Sequence, residues 1–515
     1  MKIVENRALQ LQLRNPTRVT TSIPKSKKLN EHEVLVHWGV DEVHALRDLG
    51  FDVPSPISTR YDWPGQFKPM DHQRTTAAFL TMHRKAFCFN EQGTGKTASA
   101  IWAADFLMKQ KKVRRVLIVC PISIMDSAWR ADLFRFAMHR TVDIAHGTPV
   151  KRKKIVAGPA EFIVINYDGL AIVKDEIEAG GFDMIIVDEA SHYKNSQSKR
   201  WKVLQKLVRP DMWLWLMTGT PAAQSPVDAY GLAKLVSPNN VPKYYGSFRD
   251  LVQFKVTQFR WENKADCVDT VHRALQPAIR FTKEECLDLP PMVYTNRHVP
   301  MTRQQEVYYN KLKKDMVMEA AGADITAVNA AIVMNKLLQI SAGAVYTDDG
   351  DTLEFDISSR YKVLKEVIDE ASKKVLVFVP FKSTISMLKE ALTADKITTE
   401  IISGDVPASA RTDIFKRFQT QDDPRVMIIQ PQAAAHGVTL TAADTIVWWA
   451  PVPSLETYAQ ANARIHRSGQ TAKCTVVQLD SSPVERKLYS MLDKRMDVHS
   501  KVLDLYREIL DADTI

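Results

Sequence analysis

Two glycines, a lysine and a threonine close the stretch FCFNEQGTGKT, residues 87–97. Gly93 and Gly95 let the backbone curl so that successive N–H groups face an anion. A helix beginning there adds the partial positive charge of its N-terminus. Lys96 is then placed to reach β- and γ-phosphates, and Thr97 to put a hydroxyl on Mg²⁺. Asn90 stands where such a loop usually has its first glycine. Asparagine tolerates left-handed backbone, so the turn is expected to survive through its main chain. A second pair of groups ends the run MIIVDEAS. Asp188 suits the metal, and Glu189 suits a water polarised against the terminal phosphate. Gln73, about one helix before the loop, offers a donor and an acceptor that match an adenine edge. Far along the chain, Arg464 and Arg467 stand three apart, which places both on one side of a helix. A guanidinium fork matches the oxygens of a transferring phosphoryl group.

These groups need strands that end where they begin. Phe87, Cys88 and Phe89 read as the end of a buried strand, and TASAIWAADFL as the helix after the loop. Further strands are expected at Val116–Cys120, Phe162–Asn166, Met184–Val187 and Trp213–Met217, with helices between them. That rhythm implies a parallel sheet covered on both faces, with ligands at the carboxyl ends of the strands. Met125, Trp129 and Leu133 lie at helical spacing and read as core. Residues 221–350 read as mostly helical, broken at Pro290-Pro291. A second alternating segment begins near Lys373, with strands in 374–380, 425–430 and 445–451. Trp448 and Trp449 read there as strand packing. A helix capped at Ser482-Pro483 is expected to run as far as Leu510. Residues 1–60 read as a small separate module, with strands at Leu9, Leu11 and Leu13 and at Val34 to Trp38. Asp41 is the expected cap of its helix, and Pro54–Pro56 its linker. Lys25, Lys27 and Lys28 form a basic loop, for which a DNA-touching face and a solvated loop both stay open.

The chain has 515 residues, enough for two or three domains. It is 45% hydrophobic and 25% charged, as ordinary globular proteins are. A net charge of +9 suits a polyanionic partner. Five scattered cysteines without a CxxC pair suggest neither a zinc site nor a disulfide framework. No apolar run approaches the ~18 residues of a membrane span, and the first residues lack a signal-peptide core. A soluble, cytoplasmic protein is expected.

The order of motifs resembles the Swi/Snf-type ATPases of helicase superfamily two. KPMDHQ, NEQGTGKT, VLIVCPISIMDSAW, VINYD, IIVDEAS, MTGTP, IRFTKEECLDLPP, KVLVFVP, SGDVPASAR, HGVTLTAAD and QANARIHRSGQ carry the likeness over residues 62–500. The compact length is similar to that of phage or bacterial members. The resemblance implies an α/β fold of two RecA-like parallel-sheet lobes, with helical insertions and a small α+β N-terminal domain. The expected boundaries are 1–60 for that accessory domain, 61–290 for the ATP-binding lobe with its protrusion, 291–355 for a helical protrusion or linker, and 356–515 for the second lobe. ATP and Mg²⁺ are the implied cofactors. Gln73, Gln92, Gly93, Thr94, Gly95, Lys96 and Thr97 would bind the nucleotide, and Thr97 and Asp188 the metal. Lys96, Asp188, Glu189, Gln460, Arg464 and Arg467 would carry catalysis, Gln460 also coupling the lobes. Asn90 replaces a commoner acidic residue, and Ser191 stands where many relatives have a histidine; His192, beside it, is expected to point elsewhere.

The resemblance further implies a motor that walks on double-stranded or branched DNA. Ser123, Asn166, Lys382, Ser403, Gly437 and Thr439 are the candidate backbone contacts, and a grip of that kind implies strong salt dependence. A monomer is expected. Two rival readings stay open: a strand-separating or branch-migrating helicase on DNA or RNA, and a nucleotide-gated DNA-binding protein with little turnover.

Overall fold

The computed structural model describes residues 1–494 apart from 66, 220, 223–224, 258–260, 287, 323–326, 348–350, 434–437 and 468, and without the side chains of 315–322, 327–330 and 408–409. The chain forms two compact units that divide after Cys286.

The first unit is built on a seven-stranded parallel sheet in the order Ala278–Ile279, Lys85–Cys88, Trp213–Met217, Met184–Val187, Val116–Cys120, Phe162–Asn166, Val142–Ala145. Its central strands are buried at every position, and apolar except at Asn166, because both faces are covered. Successive side chains alternate between the faces. Phe87, Leu117, Val119, Ile163, Ile185, Val187 and Leu216 enter one core, while Cys88, Ile118, Cys120, Val164, Ile186 and Met217 enter the other. The second unit repeats the plan with six parallel strands, in the order Met292–His298, Cys474–Asp480, Ala443–Trp448, Lys374–Phe378, Val426–Ile429, Thr399–Ile402. The fold class is thus the expected α/β arrangement with two parallel sheets. Trp448 and Trp449 are fully buried. The Pro483–Asp493 helix starts on a Ser482–Glu485 capping box; its expected continuation to Leu510 lies outside the described residues.

Residues 221–350 are mostly helical, as expected, with Arg303–Gly322 and Ala327–Ala342 the longest helices, although Gln253–Lys255 and Trp261–Asn263 form a hairpin and Ala278–Ile279 returns to the first sheet. Three readings need correction. Met292–His298, expected in a helical linker, is the edge strand of the second sheet. MVYTNRH is rich in β-branched and aromatic residues, but its exposed edge position leaves polar residues among them. Asp41 lies inside the first turn of the Val40–Asp48 helix, whose cap is Gly39. The Pro54–Pro56 stretch is packed down: Pro54 O accepts from Trp38 Nε1 at 2.9 Å, and Ser55 is buried against Thr81.

The N-terminal strands form an antiparallel sheet, Lys2–Val4, Ala8–Gln12, Glu33–His37, Ser26–Lys28. It has its own core around Leu9, Val34, Trp38 and Leu46. It also shares Val40 and Ile57 with the large sheet's core. Among the described residues no helix is long and apolar enough to cross a membrane.

Candidate active site

The loop after Lys85–Cys88 turns on Gly93 (φ +89°) and Gly95 (φ +81°) and enters the Lys96–Lys109 helix. Gly95 is fixed twice over: its φ is left-handed, and a Cβ there would lie 2.1 Å from Gln73 Nε2. The Thr94 carbonyl accepts from His72 Nε2 at 2.7 Å and from Gln73 Nε2 at 3.3 Å. Gln73 Oε1 accepts from Met70 N at 3.0 Å. Gln73 therefore braces the loop with the same amide that was read as an adenine contact.

Asn90 corrects the reading made of it. Its backbone is not among the left-handed residues. It works through its side chain, donating to Thr76 Oγ1 at 2.8 Å and accepting from Phe281 N at 3.0 Å. The segment after Ala278–Ile279 runs beside the loop, with Glu91 N donating to Phe281 O and Lys283 N to Glu91 Oε2. The IRFTKEE stretch, read from sequence only as part of the resemblance, is thus a wall of the phosphate loop.

Lys96 is buried and donates to Asn90 O at 2.8 Å. Asp188 ends the Met184–Val187 strand. Its Oδ2 accepts from Trp129 Nε1 at 3.0 Å and its Oδ1 from Glu189 N at 3.0 Å. Burial pushes the Asp188 carboxyl above its ordinary value; Lys96, the Trp129 N–H and the Glu189 N–H oppose this without cancelling it. Glu189 is held at φ +48°, and its Oε1 accepts from Gln92 Nε2 at 3.2 Å. The Tyr167 hydroxyl donates to Asp188 O at 2.8 Å. His192 packs on Tyr167, 4.8 Å between ring centroids.

This donor set fits a phosphate chain with Mg²⁺. Two glycines open a backbone concavity at a helix N-terminus. Among the described residues the half-buried Thr97 hydroxyl makes no hydrogen bond, and Asp188 keeps a carboxylate poorly compensated for its burial. Mg²⁺ takes few protein oxygens and fills its shell with water and phosphate.

In the second unit Gln460 sits in the Leu455–Asn462 helix and donates to Glu456 Oε1 at 3.1 Å. Arg464 and Arg467 are not on that helix, which stops at Asn462. The chain turns because Asn462 Oδ1 takes the Trp448 indole N–H at 2.8 Å and Arg464 O accepts from Leu440 N. Arg464 is buried, with Nη1 on Val438 O at 3.3 Å; Arg467 donates to Ala463 O at 2.9 Å and to Thr439 Oγ1 at 3.4 Å.

Of the candidate DNA contacts, Ser123 and Thr439 are exposed. Lys382 pairs with Asp405 at 2.7 Å, and Ser403 is buried with its carbonyl on Arg411. Asn166 is a correction: it is buried, and its Oδ1 takes Arg152 Nη1 at 2.6 Å, so its side chain braces the fold. Gly437 lies outside the described residues. Sequence reasoning missed His72, Trp129 and Tyr167. Their only signals were position: beside Gln73, at helical spacing after a strand, and directly after the Phe162–Asn166 strand.

The family description "SNF2-related domain" matches residues 72–343, and "Helicase conserved C-terminal domain" matches 359–469. The chain belongs to the SNF2-related family. In this SNF2-related chain the loop and both acids fall in the first match, and Gln460, Arg464 and Arg467 in the second. These are domains of helicase-type ATPases, so ATP is its nucleotide. The chain is 26% identical over 426 residues to an uncharacterized ATP-dependent helicase of Mycoplasma genitalium, covering 80% of this chain and 40% of that one. It is 25% identical over 460 residues to a DNA annealing helicase and endonuclease of Homo sapiens, covering 84% and 40%. A putative protein of Acyrthosiphon pisum secondary endosymbiont phage 1 is 22% identical over 423 residues, covering 78% and 88%. The chain thus spans well under two thirds of the Mycoplasma and human proteins. The solved Sulfolobus solfataricus SWI2/SNF2 ATPase core in complex with dsDNA superposes with a TM-score of 0.42 at 20% identity, covering 88% of this chain and 95% of that one.

Proposed function

We propose that this chain is a DNA-stimulated ATPase that converts ATP and water to ADP and phosphate and moves along double-stranded DNA, remodelling junctions or bound proteins. The observation that carries the reading is the first unit's site: Lys96 buried at a glycine-opened helix N-terminus, and Asp188 buried at a strand end with the Trp129 and Glu189 N–H groups on its two oxygens.

Gln92 to Thr97 bind the phosphates through backbone N–H groups, with Lys96 supplying a point charge. Thr97 and Asp188 hold Mg²⁺, which neutralises charge on the phosphate oxygens when bound. Glu189 orients and deprotonates the attacking water, its position fixed by Gln92 and by its left-handed backbone. Arg464 and Arg467 supply charge to the transferring phosphoryl group, a contribution worth about 10³–10⁵ in rate. Binding of ATP favours the conformation in which all of these act together, and hydrolysis removes that preference. Ser123, Lys382, Ser403, Gly437 and Thr439 contact DNA backbone, so movement carries little sequence preference.

ATP turnover measured across single-stranded, duplex, forked and four-way DNA and RNA tests the reading. Strong stimulation by duplex or branched DNA is expected. Equal turnover with and without DNA would sink it. A preference for four-way DNA would favour branch migration, in keeping with the human relative described as a DNA annealing helicase.

A further inference from the structure

We propose that Trp129 is a positioning residue for phosphoryl transfer: its indole N–H fixes one oxygen of Asp188 and ties that carboxylate to the turn at 122–127, whose Ile122 and Ser123 are exposed. The inference rests on the ATPase reading above.

Trp129 is fully buried, and its bond to Asp188 Oδ2 is 3.0 Å long. The other oxygen accepts from Glu189 N, the next residue in the chain. Of these two bonds, only the one from Trp129 comes from another element. A carboxylate with one local donor still swings about its own axis, and the indole fixes its plane. Tyr167 holds the same region differently, because its hydroxyl takes main-chain carbonyls and leaves the carboxylate alone. Partners of this outer kind orient a metal-binding group and tune its affinity.

The element that carries Trp129 is irregular. Ile122–Ile124 is a 3₁₀ turn, Met125–Arg130 is a π-helix, and only Ala131–Phe136 is α-helical. Single π turns inside helices cluster at functional sites. This one turns the indole inward and leaves Ser123 in solvent and Ile122 52% exposed. Ser127 Oγ donates to Ser123 O at 2.8 Å, tying the exposed end to the π turn. A load on Ser123, such as a DNA phosphate, therefore bears on a segment whose inner end grips the Asp188 oxygen. The contact gives DNA a short physical route to the hydrolytic site, through one two-ended element.

The test removes the N–H while keeping the ring outline, with 3-benzothienylalanine at position 129 and Trp129→Phe as its companion, both in the full chain. Mg²⁺ is titrated against a fluorescent ADP analogue at equilibrium, without turnover. The Mg²⁺ midpoint is expected to rise about 10–100-fold, with metal-free nucleotide binding unchanged. In ATP turnover kcat falls by a similar factor, KM for ATP holds, and stimulation by duplex DNA is lost. An unmoved Mg²⁺ midpoint in the benzothienyl protein overturns the positioning role. A shifted midpoint with full DNA stimulation overturns the tie to the turn. If DNA fails to stimulate the unaltered protein, the motor reading and the tie to DNA fall, while the Mg²⁺ titration still decides whether Trp129 positions Asp188.

Discussion

In the second unit Arg360 and Glu485 are buried against each other at 2.8 Å, whereas in the first Lys96 and Asp188 are buried with no ion pair joining them. Arg360 also donates to Ser341 O, Trp449 O, Leu479 O and Ser481 Oγ. Glu485 takes Ser481 N and Ser482 N on its other oxygen. Apart from Arg360 Nε, which is buried without a hydrogen bond among the described residues, that cluster satisfies itself and ties the Ser358–Glu370 helix to a strand end and a helix start. The first cluster is open. Lys96 leans on a main-chain carbonyl, and burial drives the Asp188 carboxyl up. Two buried charge clusters in one chain thus serve different ends. The closed one supports the fold, and the open one is poised for a ligand that completes it.

The sharpest break of that comparison is in activity. Lys96→Ala and Arg467→Ala should each abolish DNA-stimulated ATP turnover, by about 10³–10⁵ for the arginine, with DNA binding and thermal unfolding near those of the parent. Full turnover in Lys96→Ala would deny the open cluster its role, and full turnover in Arg467→Ala would deny the arginine its part in phosphoryl transfer. The reverse pattern is expected of Arg360→Met or Glu485→Gln. Each leaves a buried charged or polar partner uncompensated and should cost about 3–5 kcal/mol in urea unfolding. The double change Arg360→Met with Glu485→Leu removes both charges together but leaves Ser341 O, Trp449 O, Leu479 O and the Ser481 and Ser482 N–H groups without these partners, so it should recover only part of that loss. A double variant no better than the singles would show that the pair does more than satisfy itself.

How legible this was depended on which force set each element. Strands buried on both faces announced themselves as apolar runs, so Val116–Cys120, Phe162–Asn166, Met184–Val187 and Trp213–Met217 fall where the sequence placed them. Gly93, Gly95 and Lys96 were legible because their types answer to one local geometry. Met292–His298 was not, since an exposed edge strand alternates too weakly to stand out. Arg464 and Arg467 kept their spacing but lost their helix, because a tertiary bond from Trp448 to Asn462 turns the chain there. Trp129 looked like core and is core; nothing in its spacing tells that its one polar atom meets Asp188. Long-range hydrogen bonds from otherwise apolar residues leave no periodic trace.

Asn90 offers a smaller and more local test. Thr76 Oγ1 donates its own proton to His72 O at 2.7 Å, so the group facing it must itself donate. An amide does, and an ionised carboxylate does not. The commoner acidic residue would meet Phe281 N well but set oxygen against oxygen at Thr76. Asn90→Asp should therefore cost about 1–3 kcal/mol, the loss for a buried polar group left unanswered. Thr76→Val combined with Asn90→Asp should cost no more than the single change. Unaltered urea unfolding in Asn90→Asp would mean that the bridge to Thr76 contributes nothing.

Asp105, on the helix that follows the phosphate loop, sets a closed carboxylate beside the open one within a single unit. Its side chain is fully buried and accepts from Tyr61 Oη at 2.6 Å, Arg140 Nε at 2.6 Å and His139 Nε2 at 2.8 Å. Burial alone would raise its pKa, but the Tyr61, Arg140 and His139 bonds outweigh burial and lower it, the opposite of Asp188. The sign of the pH dependence follows. The folded carboxyl titrates below its unfolded value of about 3.9, so its stabilisation is fully present above that pH and drains away as pH falls through the lower folded value. Asp105→Asn should unfold more readily than the parent at pH 7, and the two proteins should converge as pH drops below ~3.9. Urea unfolding at a series of pH values reads this directly. A gap that stays constant down to acid pH would mean that Asp105 acts through packing alone, and its contrast with Asp188 would vanish.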